Sequence, residues 1–145
     1  MSERTVVIGI DGVPFHLIDE LSEKGDMPNF QSIKKEGHFS KMHAAVPEVS
    51  NVNWSSIVTG KNPGEHGIFG FTELIEGTYT VSFPDRRALK AEPFWEDDSK
   101  KYVILNVPAM YPAEEINGVF VSGFVSPDLK NAVYPESAYR ILEDM

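Results

Sequence analysis

Cysteine is missing altogether from the 145 residues, which removes disulfides, thiolate metal ligands and a cysteine nucleophile together. Any metal held here must be bound through oxygen and nitrogen. Long apolar runs are missing too. Stretches such as Thr5 to Ile10 and Tyr102 to Leu105 fall far short of the roughly 18 residues that a membrane-spanning helix needs, so no membrane partner is expected. Basic charge is scarce. With 13 Lys and Arg against 22 Asp and Glu, and a net charge of -9, the chain repels phosphate backbones and offers no basic stripe for counterion release. A nucleic-acid partner is therefore not expected. An anionic ligand is still compatible with this acidity if bound cations reverse the sign locally. The polar start Met1-Ser2-Glu3-Arg4 lacks a basic region followed by an apolar stretch, so a cytoplasmic location is expected.

What is present reads as a folded domain. A hydrophobic fraction of 41% with 24% charged residues is ordinary globular composition, and the length suits a single domain over residues 1–145. Thr5-Val6-Val7-Ile8-Gly9-Ile10 is a nearly continuous β-branched run, the pattern of a strand buried on both faces of a parallel sheet, which puts Asp11 at its carboxyl end. Pro14, the apolar spacing of Phe15, Leu17, Ile18 and Leu21, and Gly25 predict a helix from Pro14 to Lys24. Pro28, Phe30, Ile33, Lys34, Lys35 and Gly37 predict a second helix. Ser40, Met42, Ala44 and Val46 alternate with Lys41 and His43 as a half-buried strand does. A third helix is expected from near Asn51 to Gly60, with Ser50 at its N-terminus.

Residues 61–70 read as a turn-rich loop, and Thr72 to Ile75 with Tyr79 to Val81 as a hairpin. Pro93 to Ser99 suits a short helix. Tyr102 to Leu105 and Gly118 to Val121 read as core strands separated by a Pro108 and Tyr111-Pro112 loop. Pro135 to Met145 opens like another helix but has no stop glycine. Strands alternating with helices imply an α/β fold with a mainly parallel sheet and helices on both faces.

The chemistry-bearing positions each have two readings. An Asp after a buried first strand suits a metal or a phosphate-linked role, because ligands of open α/β sheets collect at the carboxyl ends of strands. Taken in isolation, Asp11 more often caps the next helix or stabilises a turn. Ser50 can satisfy free backbone donors as a cap, or present its hydroxyl where helix N–H groups and the dipole favour a phosphoryl oxygen. Asn53, one turn on, can add a side-chain donor or sit as an exposed polar residue. A serine needs a base or a metal to lose its proton, and no local Ser-His-Asp order is visible. The four histidines form no i, i+4 helical pair of the zinc-hydrolase kind, and His66, between turn residues, reads as a loop stabiliser. Arg86 and Arg87 have the planar donors that suit phosphate, but read as solvated loop arginines.

Four stretches together resemble a known family: Ile8-Gly9-Ile10-Asp11-Gly12; Met27-Pro28-Asn29-Phe30 with Glu36-Gly37; Ser50 to Gly60; and Asn62-Pro63-Gly64-Glu65-His66-Gly67-Ile68. In order and spacing they are similar to the opening of the type I phosphodiesterase/nucleotide pyrophosphatase family of the alkaline phosphatase superfamily. The later stretches Val103 to Pro108, Tyr111 to Glu114 and Val121 to Phe124 resemble its predicted phosphohydrolase/phosphomutase branch. The resemblance implies an incomplete three-layer sandwich, the N-terminal portion of a longer catalytic domain. It implies Asp11 as a metal ligand, Ser50 as both metal-bound residue and phosphorylated nucleophile, and Asn53 as a phosphoryl-binding residue. Two divalent ions, usually zinc, are implied with them, and such a pair stabilises the attacking and leaving oxygens. No histidine follows His66, so the remaining ligands are expected beyond Met145, with weak metal binding and little turnover by this chain alone.

The activity expected from the resemblance is hydrolysis of small phosphate mono- or diesters through a phosphoserine. The alternatives are phosphoryl transfer to another hydroxyl, as in a mutase, and a binding module without a complete metal site. Uncovered apolar surface and sheet edges also lead us to expect a dimer or larger homo-oligomer.

Overall fold

The computed structural model describes residues 4–144, and the chain divides into two compact units, residues 1–43 and 44–145.

In the first unit the punctuation of the sequence sets the helices. Helix α1, Phe15–Lys24, follows Pro14 and stops at Gly25, which takes the left-handed conformation at φ 85°. The amides of Gly25 and Asp26 bond back to the carbonyls of Ser22 and Leu21 at 3.2 and 3.0 Å, the paired bonds of a Schellman stop. Helix α2, Pro28–Glu36, begins on Pro28 and carries Lys34 and Lys35 in its last turn, where cations oppose the negative end of the dipole. Phe39 fastens the two helices. Its ring stacks on Phe15 at 4.5 Å and meets Phe30 edge-on at 5.5 Å. Lys34 Nζ reaches Asp19 and Glu23 of α1 at 2.6 and 2.7 Å.

The expected strand over residues 5–10 does not form. The segment belongs to neither sheet, and Val6, Val7, Ile8 and Ile10 are 68–81% exposed. A strand is a relation between segments, and no neighbour among the described residues supplies the ladder that would fix this one. The alternating stretch 40–46 is likewise outside any strand, with Met42 and Val46 both 80% exposed.

The second unit begins with helix α3, Ser50–Thr59, which ends at left-handed Gly60. A single-turn helix α4, Pro63–His66, occupies what reads in sequence as loop. The expected hairpin is present but short: β1, Glu73–Leu74, pairs antiparallel with β2, Val81–Ser82. Of the expected helix at 93–99 only a tight 3-10 turn forms, Phe94–Glu96. Strand β3, Tyr102–Val107, then runs parallel to β4, Gly118–Ser122. Strand β5, Val133–Tyr134, adds an antiparallel edge, and helix α5, Glu136–Glu143, follows.

Gly118 permits the parallel pairing. Its φ is 152°, and a Cβ there would come within 1.8 Å of the Tyr102 carbonyl oxygen. The core gathers Val58, Trp95, Ile104, Met110, Ile116 and Phe120, with the Trp95 and Phe120 rings edge to face at 5.4 Å.

The sheet matches the sequence reading in part. Of its two pairings one is parallel and one antiparallel, and β3 is covered on one side only: Ile104 is 6% exposed while Val103 and Leu105 are 69% and 61% exposed. The architecture among the described residues is the expected α/β class, with a mixed three-stranded sheet and a two-stranded ribbon; these two sheets do not by themselves confirm a mainly parallel sheet with helices on both faces. The apolar alternation of β3 provides two faces that could be buried, but only one has packing partners among the described residues. None of the described helices is long and apolar enough to cross a membrane.

Candidate functional site

Ser50 is the first residue of α3, with Val49 as its cap, one position inside the boundary that the sequence suggests. Asn53 N–H is the amide that first reaches back to Val49 O, at 3.0 Å. The amides of Ser50, Asn51 and Val52 therefore belong to the open end of the helix, where N–H groups have no intrahelical acceptor. No acidic residue occupies this first turn, so no carboxylate of the turn competes for the positive end of the dipole. The Ser50 side chain is half-buried.

Asn53 lies one turn along the same helix, on the face it shares with Ser50. Its amide is already employed: Oδ1 accepts from the Ala45 N–H at 2.7 Å and Nδ2 donates to Val49 O at 3.0 Å. These bonds fold the approach segment against the start of α3 and orient the side chain. The second N–H of Nδ2 is the donor left over for a ligand.

Asp11 belongs to the first unit, exposed in the turn before Gly12, whose φ is 70°. Ser50 and Asn53 belong to the second. Among the described residues no three His, Asp or Glu side chains gather where they could hold a metal ion. A divalent ion in a catalytic site takes at least three protein ligands or an equivalent set of oxygens. The described residues alone do not make such a site.

His66 has a structural task. It is fully buried, and its Nδ1 accepts the Ile68 N–H at 3.1 Å. The ring proton therefore sits on Nε2, which donates to Ser56 Oγ at 3.0 Å. Burial pushes the His66 pKa below its ordinary 6.5, which keeps the ring neutral. Ser56 thus receives a hydrogen bond instead of giving up its proton, and the pair is a clasp between α3 and α4. This agrees with the loop-stabilising reading of His66.

Arg86 departs from the solvated reading. Only 12% of its side chain is exposed, and it bonds Glu96 and Glu114 at 2.7 and 2.8 Å. The Trp95 indole N–H approaches the same Glu114 carboxylate at 3.4 Å, so this arginine ties two loops to the core. Arg87 is exposed and pairs with Asp85, whose carboxyl is burdened by partial burial but is held below its usual range by the Arg87 hydrogen bonds.

Asn51 is the residue that sequence reasoning passes over. It is 3% exposed, and its Nδ2 donates to Gly70 O at 2.7 Å. Its Oδ1 is buried with no hydrogen-bond partner among the described residues, a costly condition for a polar atom. Asn51 also lines a cavity of about 200 Å³. Nothing in its sequence context marks it, because the missing partner is visible only when the chain is folded.

A family model described as type I phosphodiesterase / nucleotide pyrophosphatase matches residues 5–138. Comparisons with curated proteins and with solved structures gave no match.

Proposed function

The chain belongs to the type I phosphodiesterase / nucleotide pyrophosphatase family, and from that premise we propose that it serves hydrolysis of phosphate mono- or diesters with Ser50 as the nucleophile. The observation that carries the proposal is the position of Ser50, a half-buried serine heading a ten-residue helix with no acidic residue in its first turn. A phosphoryl group placed there meets free N–H donors and the positive end of the dipole. Ser50 Oγ attacks phosphorus in line, the ester oxygen leaves, and water cleaves the resulting phosphoserine. Asn53 contributes its remaining amide N–H to a phosphoryl oxygen.

Members of the family are normally metal-dependent. In the proposal Asp11 and Ser50 are this chain's donors to a centre of two divalent ions, zinc by resemblance, whose other ligands come from outside residues 1–145. Residues 1–145 alone are then expected to bind zinc weakly and to turn over little. A small phosphorylated substrate, a cytoplasmic location and self-association belong to the same proposal, and sedimentation at high protein concentration checks the last.

The test is Ser50→Ala in the full-length, metal-loaded protein, with folding verified by circular dichroism. Turnover of p-nitrophenyl phosphate and bis(p-nitrophenyl) phosphate is expected to fall roughly a thousandfold or more, as for loss of a covalent nucleophile. Unchanged rates would remove Ser50 from the mechanism. Release of free phosphate separates hydrolysis from mutase-type transfer, which returns an isomer.

A further inference from the structure

We propose that Asn51 is a positioning residue for the hydrolysis, fastening the first turn of α3 to the segment 66–70 so that the Ser50 hydroxyl keeps one direction of attack. The inference rests on the reading of Ser50 as nucleophile and adds to it the device that keeps that serine aimed.

Asn51 follows Ser50 directly, and both its side chain and its backbone are held. Its Nδ2 donates to Gly70 O at 2.7 Å, a bond between groups 19 positions apart in the chain. Its carbonyl accepts the hydroxyl of Ser55 at 2.7 Å, and Ser55 is itself buried. A residue fixed at both groups leaves the peptide that joins it to Ser50 little freedom to turn. A helix start otherwise frays readily, because its first amides have no intrahelical partner.

The anchor on the far side is firm. The segment 66–70 is tied to α3 a second time, by the bond between His66 and Ser56 at 3.0 Å. The Lys90 N–H holds His66 O at 3.0 Å, and Ile68, between the two ties, is 2% exposed. Asn51 and Ser56 stand roughly 7.5 Å apart along the helix axis. The two bonds therefore brace a length of α3 instead of pinning one point, and the tie nearer the nucleophile is the one from Asn51.

The same side chain burdens the fold. Asn51 is 3% exposed, and its Oδ1 has no hydrogen-bond partner among the described residues. Truncating it loses one bond but also removes a buried acceptor that opposes folding, so the two effects on stability offset each other. Nothing offsets the loss of orientation. A polar group that costs stability beside a reacting residue is the trade expected of a positioning role.

The experiment compares Asn51→Ala and Asn51→Leu in the full-length, metal-loaded protein, the second keeping the side-chain shape without the donor. Turnover of p-nitrophenyl phosphate and bis(p-nitrophenyl) phosphate is measured per folded molecule, with folding followed by circular dichroism and urea titration. We expect kcat to fall roughly ten- to a hundredfold in both, as for a nucleophile displaced by a fraction of an ångström to about 1 Å, with KM changed far less. Val58→Ala, a core truncation in the same helix that touches neither tie, should lower the urea midpoint and leave kcat unchanged. Added to Ser50→Ala, Asn51→Leu should have no further effect, because a residue acting only through Ser50 has nothing left to aim. An unchanged kcat in both Asn51 variants, beside a large loss in Ser50→Ala, overturns this inference alone. So do an equal loss of kcat in Val58→Ala, a further loss in the double variant, or failure of both Asn51 variants to fold, which would make the bond structural. Full activity of Ser50→Ala removes this inference together with the hydrolase reading.

Discussion

Residues 5–10 and 102–107 are written in the same idiom, short β-branched apolar runs that both read as buried strands, yet they end differently. The later run becomes β3, paired residue by residue with β4 from Tyr102↔Gly118 to Leu105↔Val121, and sends Ile104 into the core. The earlier run joins no sheet and leaves Val6, Val7, Ile8 and Ile10 exposed. Burying a Val or Ile side chain stabilises by roughly 1.5–3 kcal/mol, so both segments carry a similar driving force. Opportunity is what separates them. β3 has β4 alongside, with a glycine where the two backbones come too close for any side chain, and residues 5–10 have no comparable neighbour among the described residues. An apolar run states what a segment can bury and is silent about what will lie against it.

The sharpest way to break this contrast is through its glycines. Gly118→Val puts side-chain atoms where the Tyr102 carbonyl lies, at a φ that L-residues avoid, and should cost more than about 4 kcal/mol. Loss of cooperative unfolding and of dispersed NMR signals from residues 44–145 is the expected result. Gly12→Ala meets nothing within 4 Å and should cost only the left-handed backbone term, roughly 1–2 kcal/mol. Equal shifts of the denaturation midpoint in the two variants would erase the distinction.

Side-chain truncation gives the next largest effect. Phe120→Ala, at 0% exposure, is expected to lose about 3–5 kcal/mol in urea titration. Ile8→Ala, at 81% exposure, should stay within about 0.5 kcal/mol. A large loss at Ile8 would show that the first run is covered in solution.

The smallest effect is a pH dependence. His66 is buried neutral with its pKa lowered, so the unfolded chain binds its proton at a higher pH than the folded one does. The stability associated with the neutral ring is intact above about 6.5, and it declines as pH falls from there towards the folded-state pKa. His66→Gln should flatten the stability profile through that acidic window. An unchanged slope would mean that the ring does not titrate differently on folding.

Much of the local structure was legible. The helices expected from Pro14 to Lys24, from Pro28 to Gly37 and from near Asn51 to Gly60 formed as Phe15–Lys24, Pro28–Glu36 and Ser50–Thr59. Each is bounded by proline, glycine or both, residues whose backbone limits act without help from distant contacts. The edge strand Val133–Tyr134 and the helical turn Pro63–His66 were not read, since two residues or one turn carry no periodicity to detect. Ser50 and Asn53 could be nominated because a helix start has a local signature. The buried task of Arg86 and the unpartnered Asn51 acceptor could not, because both depend on segments that are remote along the chain.

By itself, then, the sequence determined the helix limits, the hairpin, the absence of thiol chemistry and the family to which the chain belongs. Those properties rest on residue type and on spacing within a turn or a motif. Only the tertiary structure decided which apolar run became a strand, which face of β3 was covered, and that His66 would clasp Ser56. Pairing, burial and hydrogen-bond satisfaction are relations between atoms far apart in the chain, and they acquire values only when folding brings those atoms together.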